Sequence, residues 1–333
     1  MVYPYKFTPA LVERVWGGIA LRRYGKPVPD GKRIGESWEI SDRDDVQSVV
    51  ANGADAGKTL RQQIEAYGAQ LLGSNCGDAK RFPLLVKLLD ARERLSLQVH
   101  PPDTIARKLG GEPKTEMWYV LEANKDAHLI AGLHRGVTRE QFEDALRSDS
   151  PKLSDLIYRF PVSPGDCFFV PSGRLHAIDA GVVLVEIQQN SDTTYRVYDW
   201  GRVGLDGKPR QLHVKESIAC INFDDFEPPK QKPKIEHLGA NVLRRLVECE
   251  YFHVHQLDLN AAWPDVCDGS TFHIITCVEG AFSVHALNNE KMEIKLGEFL
   301  ILPGTLGNYT ITPLATSTRA LKAYIPPQTP RRS

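Results

Sequence analysis

The stretch GDCFFVPSGRLH, residues 165–176, is a short apolar strand pattern fenced by glycine and stopped by Pro171. Proline cannot donate to a ladder, and glycine supplies turns that other residues enter only with strain. GEFLILPG, residues 297–304, repeats the arrangement: a glycine, five mostly apolar residues, a proline, then a glycine soon after. His176 sits five residues past Pro171, whereas Asn308 sits five past Pro303. The chain therefore reads as two related β units. The second keeps the turn chemistry and loses the histidine, so a metal held by the first has no counterpart in the second.

Other apolar runs bounded by proline and glycine surround the first copy. FPLLVKLLD (82–90), MWYVLEA (117–123), HLIAGL (128–133) and VVLVEIQQN (182–190) fit a β-sandwich or barrel better than alternating βαβ units. Helical spacing interrupts them twice. Leu60, Ile64, Tyr67 and Leu71 recur on one face. Residues 138–160 read as two helices, the second restarting after Ser150-Pro151, with Thr138 and Gln141 spaced as a capping box. The proline-rich, charged FEPPKQKPKIE (226–236) reads as a linker. The expected units are residues 1–228, carrying the inserted helices, and residues 237–327.

LSLQVHPPD, residues 95–103, alternates. Leu95, Leu97 and Val99 fall on one side of an extended chain, and Ser96, Gln98 and His100 on the other. Gln98 and His100 are thus aimed at one place. Water is the ordinary reading of such a pair and a metal ion the chemical one.

Bulk composition narrows the function. Lys+Arg (41) and Asp+Glu (42) nearly cancel across 333 residues, which leaves no global field for nucleic acid or an anionic membrane. No apolar run approaches the roughly 18–20 residues needed to span a bilayer. The six cysteines are scattered without a C-x-x-C pair, as expected of reduced thiols in a cytoplasmic protein.

Written as G-x5-P-x-G-x2-H, residues 165–176 resemble the second motif of the cupin superfamily, small antiparallel barrels that hold a metal inside. Ala180 stands where that family usually ends the motif with asparagine. Gln98-x-His100, followed by Glu116 in KTEMWYV, resembles the first motif, with glutamine for its first histidine and a longer gap. Together these features resemble the type I phosphomannose isomerases. FPLLVKLLDARERLSLQVHPPD, IGESWEIS and the E-x4-S-D-x3-R element Glu186, Ser191, Asp192, Arg196 extend the resemblance over roughly residues 1–325, in the short bacterial form. VYDWGR replaces the segment that longer members carry after the arginine, which leaves a substrate role for Arg202 open.

The resemblance implies two cupin-like β-barrel (jelly-roll) domains in a mainly β chain, with the metal site in the first. One Zn²⁺ per chain would be held by Gln98, His100, Glu116 and His176, a donor set suited to that ion. The implied reaction interconverts mannose 6-phosphate and fructose 6-phosphate by proton transfer between C1 and C2 through an enediol. Arg196, Lys114 and Asp192 would be catalytic, Lys87 and Glu186 substrate-binding. The ordinary readings are a salt bridge to Asp199 for Arg196, an exposed strand end for Lys114, a turn cap for Asp192, a lysine reaching solvent for Lys87 and a solvated strand face for Glu186. Trp16, Trp38, Trp118 and Trp200 read as core before pocket, and His253-x-His255 as surface or core. The expected partner is a small sugar phosphate, with no nucleic acid or membrane, on a monomer or weak homo-oligomer. Rival readings are a non-catalytic sugar-binding or regulatory bicupin and an iron-dependent cupin dioxygenase.

Overall fold

The computed structural model describes residues 2–148, 152–286 and 291–328. Strands dominate, arranged as two sandwiches. In the first, a six-stranded antiparallel sheet runs in the order Cys167–Val170, Glu116–Ala123, Val182–Gln189, Leu84–Ala91, Ile34–Ile40, Ala10–Gly18. It faces a five-stranded sheet ordered Tyr195–Tyr198, Leu97–Val99, His176–Ile178, His128–Leu133, Ile157–Pro161. In the second, six strands drawn from residues 234–324 face four strands drawn from residues 263–313. The fold class expected from sequence is present, but as paired sheets: among the described residues no ladder joins the faces into a closed barrel.

Alternation explains why Val182–Gln189 is buried almost throughout yet carries polar residues. Val183, Val185 and Ile187 point outward onto a core shared with the second sandwich, where they meet Ile274, Ile301 and Leu321. Val182 and Leu184 point inward with Leu89, Trp118 and Phe168. Glu186 has the inward parity. Lys87 stands directly across from it, and Glu116 directly across from Gln188. Period two thus buries apolar rows on both faces and delivers charged residues to one end of the first interior.

The two six-stranded sheets lie back to back around this shared core. Phe82 stacks on Phe272 with ring centroids 4.5 Å apart, and Tyr5 bridges to Ile301. The helix Leu60–Tyr67 packs Leu60 and Ile64 into the same core and ends at Gly68; a short turn, Ala69–Leu72, follows. Arg139–Arg147 is helical with the expected Thr138/Gln141 capping box. The predicted second helix shrinks to Leu153–Leu156, and Ile157–Pro161 is instead a strand paired with His128–Leu133. Its β-branched and aromatic residues pair more favourably than they would coil. The expected break at Ser150-Pro151 lies outside the described residues. The linker also ends early, because Lys234–Leu238 is already a strand.

The repeat is visible in register. Glu116 pairs with Val170, which precedes Pro171; His273 pairs with Leu302, which precedes Pro303. The second copy therefore carries His273 where the first carries Glu116. There the imidazole Nδ1 meets the Tyr309 hydroxyl at 2.7 Å. All six cysteines are free thiols, and among the described residues no helix is long and apolar enough to cross a membrane.

Candidate active site

His176, Gln98 and Arg196 lie in a row across three neighbouring strands of the five-stranded sheet. Glu116 faces them from the six-stranded sheet. His100, Glu116 and His176 are almost completely buried, and one donor atom from each lies within 4.8 Å of the others. His100 Nε2 is 3.4 Å from Glu116 Oε2, and His176 Nε2 is 3.6 Å from Glu116 Oε1. Gln98 Nε2 sits 3.2 Å from His176 Nε2, and rotating the amide brings its oxygen to the same place.

The outer hydrogen bonds set the tautomers. His100 Nδ1 is 2.9 Å from the Thr193 carbonyl, and His176 Nδ1 is 2.8 Å from that of Arg174. Each carbonyl accepts the Nδ1 proton, so each Nε2 turns a lone pair inward. Burial and the nearby Lys114 push the His100 pKa down to about 3, which keeps the ring neutral. Burial disfavours the Glu116 carboxylate, but the Lys114 ammonium beside it holds its pKa well below the usual range. His100 Nε2 and Glu116 Oε1 are buried without a hydrogen-bond partner, while the Lys114 ammonium touches Glu116 Oε2 at 2.9 Å. Acceptors thus converge on acceptors. Lys114 answers only one carboxylate oxygen, so the remaining acceptors are costly unless a metal cation joins them. Two imidazoles, a carboxylate and an amide oxygen fit a zinc-class ion.

Beside the cluster opens a cavity of 530 Å³ lined by Gln98, Lys114, Lys87, Glu186, Asp192 and Arg196 among others. Lys114 Nζ is 2.9 Å from Glu116 Oε2 and 4.0 Å from Glu186 Oε1. Burial would lower its pKa, yet Glu116 and Glu186 raise it, so the ammonium stays charged. It is a buried strand-end lysine, not an exposed one. Lys87 does not reach solvent either. Its ammonium lies 3.4 Å from Glu186, 3.8 Å from Glu36 and 4.7 Å from the centre of a Trp38 ring. Glu186 accepts from Trp118 Nε1 at 3.2 Å; burial and Glu116 raise its pKa against the pull of Lys114 and Lys87. Asp192 is exposed where it lines the cavity.

Arg196 makes no ion pair with Asp199. Asp199 is taken by Arg202 at 2.8 Å and by Arg210. Arg196 Nη1 donates to the Gln211 carbonyl at 2.8 Å, while Nε is buried without a partner. Arg202 lies outside the cavity lining, whereas Arg210 is part of it.

Sequence reasoning missed Glu36 and Arg14. Arg14 Nε donates to Glu36 Oε1 at 2.9 Å, and Trp38 Nε1 to Glu36 Oε2 at 2.6 Å. Burial opposes this carboxylate, but Lys87 and Arg14 hold its pKa down at about 2. The one local signal was the pair of glutamates, Glu36 and Glu39, inside the strand IGESWEI. Gly35 lets the neighbouring strand close in: a Cβ there would meet Arg14 Cβ at 2.6 Å and the Trp16 ring at 2.7 Å. Trp16 lines the cavity; Trp38 and Trp118 are buried beside it, and Trp200 stacks under Arg94.

Two facing sheets, with a cation-demanding donor cluster at one end of the first interior, define a cupin with an enzyme-like site. The chain belongs to the type I phosphomannose isomerase family. Residues 5–131 match its description as "Phosphomannose isomerase type I, catalytic domain", and residues 243–318 match "Mannose-6-phosphate isomerase, cupin domain". The chain is 38% identical to the mannose-6-phosphate isomerase ManA of Bacillus subtilis over 92% of its own length and 95% of that protein's. It is 32% identical to the mannose-6-phosphate isomerase of Streptococcus mutans over 93% and 95%. A solved mannose 6-phosphate isomerase from Bacillus subtilis superimposes with a TM-score of 0.87 at 32% identity, covering 97% of this chain and 100% of that one.

Proposed function

We propose that this chain interconverts mannose 6-phosphate and fructose 6-phosphate, with one Zn²⁺ held by Gln98, His100, Glu116 and His176. The observation that carries the reading is the convergence of unpartnered acceptors beside a cavity lined with both cations and carboxylates. Family membership supplies the sugar phosphate as the substrate class. Residues 1–228 are read as the unit that carries the chemistry, and residues 237–327 as a companion whose copy of the motif lacks these ligands.

An aldose–ketose isomerase removes the C2 proton, passes through an enediol and returns a proton at C1. A bound zinc ion would supply Lewis-acid polarisation of substrate oxygen. The chain's own residues divide the remaining tasks. Lys114 stays protonated and offers a fixed positive charge and a donor beside Glu116. Glu186, buried with a raised pKa, is suited to take a proton and give it back. Asp192 is a further carboxylate lining the cavity. Arg196, its charge uncommitted to any carboxylate, stabilises negative charge on the sugar oxygens. Lys87, clasped by Glu36 and Glu186, fixes the floor on which the substrate rests.

The test is a coupled assay for fructose 6-phosphate formed from mannose 6-phosphate, run before chelation, after it, and after zinc is restored. Activity should vanish and return. A folded, zinc-loaded protein without turnover would remove the isomerase reading.

A further inference from the structure

The sequence motif His253-Val254-His255 plays no part in the site described above. Both imidazoles lie on one face of the strand His253–Asp258, because side chains two residues apart share a side. Glu248, the last residue of the preceding strand Asn241–Glu248, stands directly across from His253. One donor atom from each of Glu248, His253 and His255 lies within 4.8 Å of the other two. His255 Nε2 is 3.4 Å from Glu248 Oε1. Donors about 2.0–2.2 Å from a tetrahedral ion lie roughly 3.3–3.6 Å from one another.

A second observation points to a ligand. His255 is only 4% exposed, and its Nε2 is buried without a hydrogen-bond partner while facing Glu248. The Tyr324 ring stands edge-on to both imidazoles, 5.4 Å from each centroid, and keeps the pair in place. Two cations lie nearby, and both have other partners. Arg245 touches Glu248 at 3.0 Å but also holds Glu236 at 2.7 Å, so it keeps a carboxylate when Glu248 turns to an ion. Lys322 is engaged by Asp265 at 2.6 Å.

We propose that Glu248, His253 and His255 form a second metal site, selective for a divalent ion of the zinc or cobalt class. Two imidazoles and one carboxylate suit such an ion and leave room for a water ligand. The site is not a remnant of the first, since the register counterpart of Glu116 is His273, which is bonded to Tyr309. Its location suits a structural clamp. Tyr251, in the turn between Glu248 and His253, donates its hydroxyl proton to Asp103 Oδ2 at 2.6 Å, three residues beyond His100. The ion braces the hairpin that presses on the segment leaving the first cluster.

The experiment is a Co²⁺ titration of chelated full-length protein, followed by visible absorption and by equilibrium dialysis. The wild type should bind one more equivalent per chain than either Glu248→Gln or His253→Gln. Both substitutions lie at the hairpin end, and unchanged circular dichroism checks their folding. His176→Ala counts the first cluster separately, so its failure is not confused with this one. A wild-type count equal to that of a folded Glu248→Gln variant overturns the proposal.

Discussion

Arg196 stands directly across the ladder from Gln98. On Gln98's other side stands His176, so the guanidinium is carried by the same sheet surface as two of the proposed ligands. Cross-strand neighbours have Cβ atoms about 5 Å apart, close enough for both to touch one small substrate. Arg196→Gln should therefore lower kcat by about 100-fold, as loss of an oxyanion-stabilising donor does. Its zinc content, measured by elemental analysis, should equal that of the wild type. Loss of zinc in step with activity would show that Arg196 serves the ligands and not the substrate.

Lys114 gives the opposite pairing of effects. Its ammonium touches Glu116 and opposes the approach of any metal cation. Lys114→Met should bind zinc at least as tightly as the wild type while losing about 100-fold or more in kcat. Competition with a chromophoric chelator measures the first quantity and the coupled assay the second.

Glu36 links the site to acid stability. Its folded pKa lies at about 2, below the ordinary value of 4.5, so its contribution is present above the unfolded pKa. It fades as pH falls from about 5 to about 2. A shift of that size corresponds to about 3 kcal/mol. Urea unfolding across this range should show a steep loss of stability in the wild type and a shallower one in Glu36→Gln.

Phe82 tests the shared core. Its side chain is fully buried and stacked on Phe272 from the second sandwich. Phe82→Ala should cost about 3–5 kcal/mol, read as a lowered denaturation midpoint. The loss should appear in one transition. Two separated transitions would show that the halves unfold independently.

The legible parts of the chain were those governed by local spacing. Gln98 and His100 share a strand face because period two requires it, and the Thr138/Gln141 cap was readable three residues apart. The turn after Pro171 announced His176. Glu36 and Arg14 were not legible, because their importance comes from Lys87, more than fifty residues later in the chain. The ordinary reading of Arg196, a salt bridge to Asp199, fails for a similar reason: Arg202 and Arg210 fold back and take that carboxylate. Ile157–Pro161 looked helical until its partner strand was in view.

The back-to-back sheets also bear on how the second half can change over generations. Relieved of the histidine at Asn308, that half is free to drift where it meets solvent, yet Phe252, Val254, Ile274 and Leu321 form part of the wall supporting Glu186 and Glu116 from behind. Selection on the reaction thus reaches residues that never approach the sugar. The half without the His176 counterpart is kept in shape by the half that carries it.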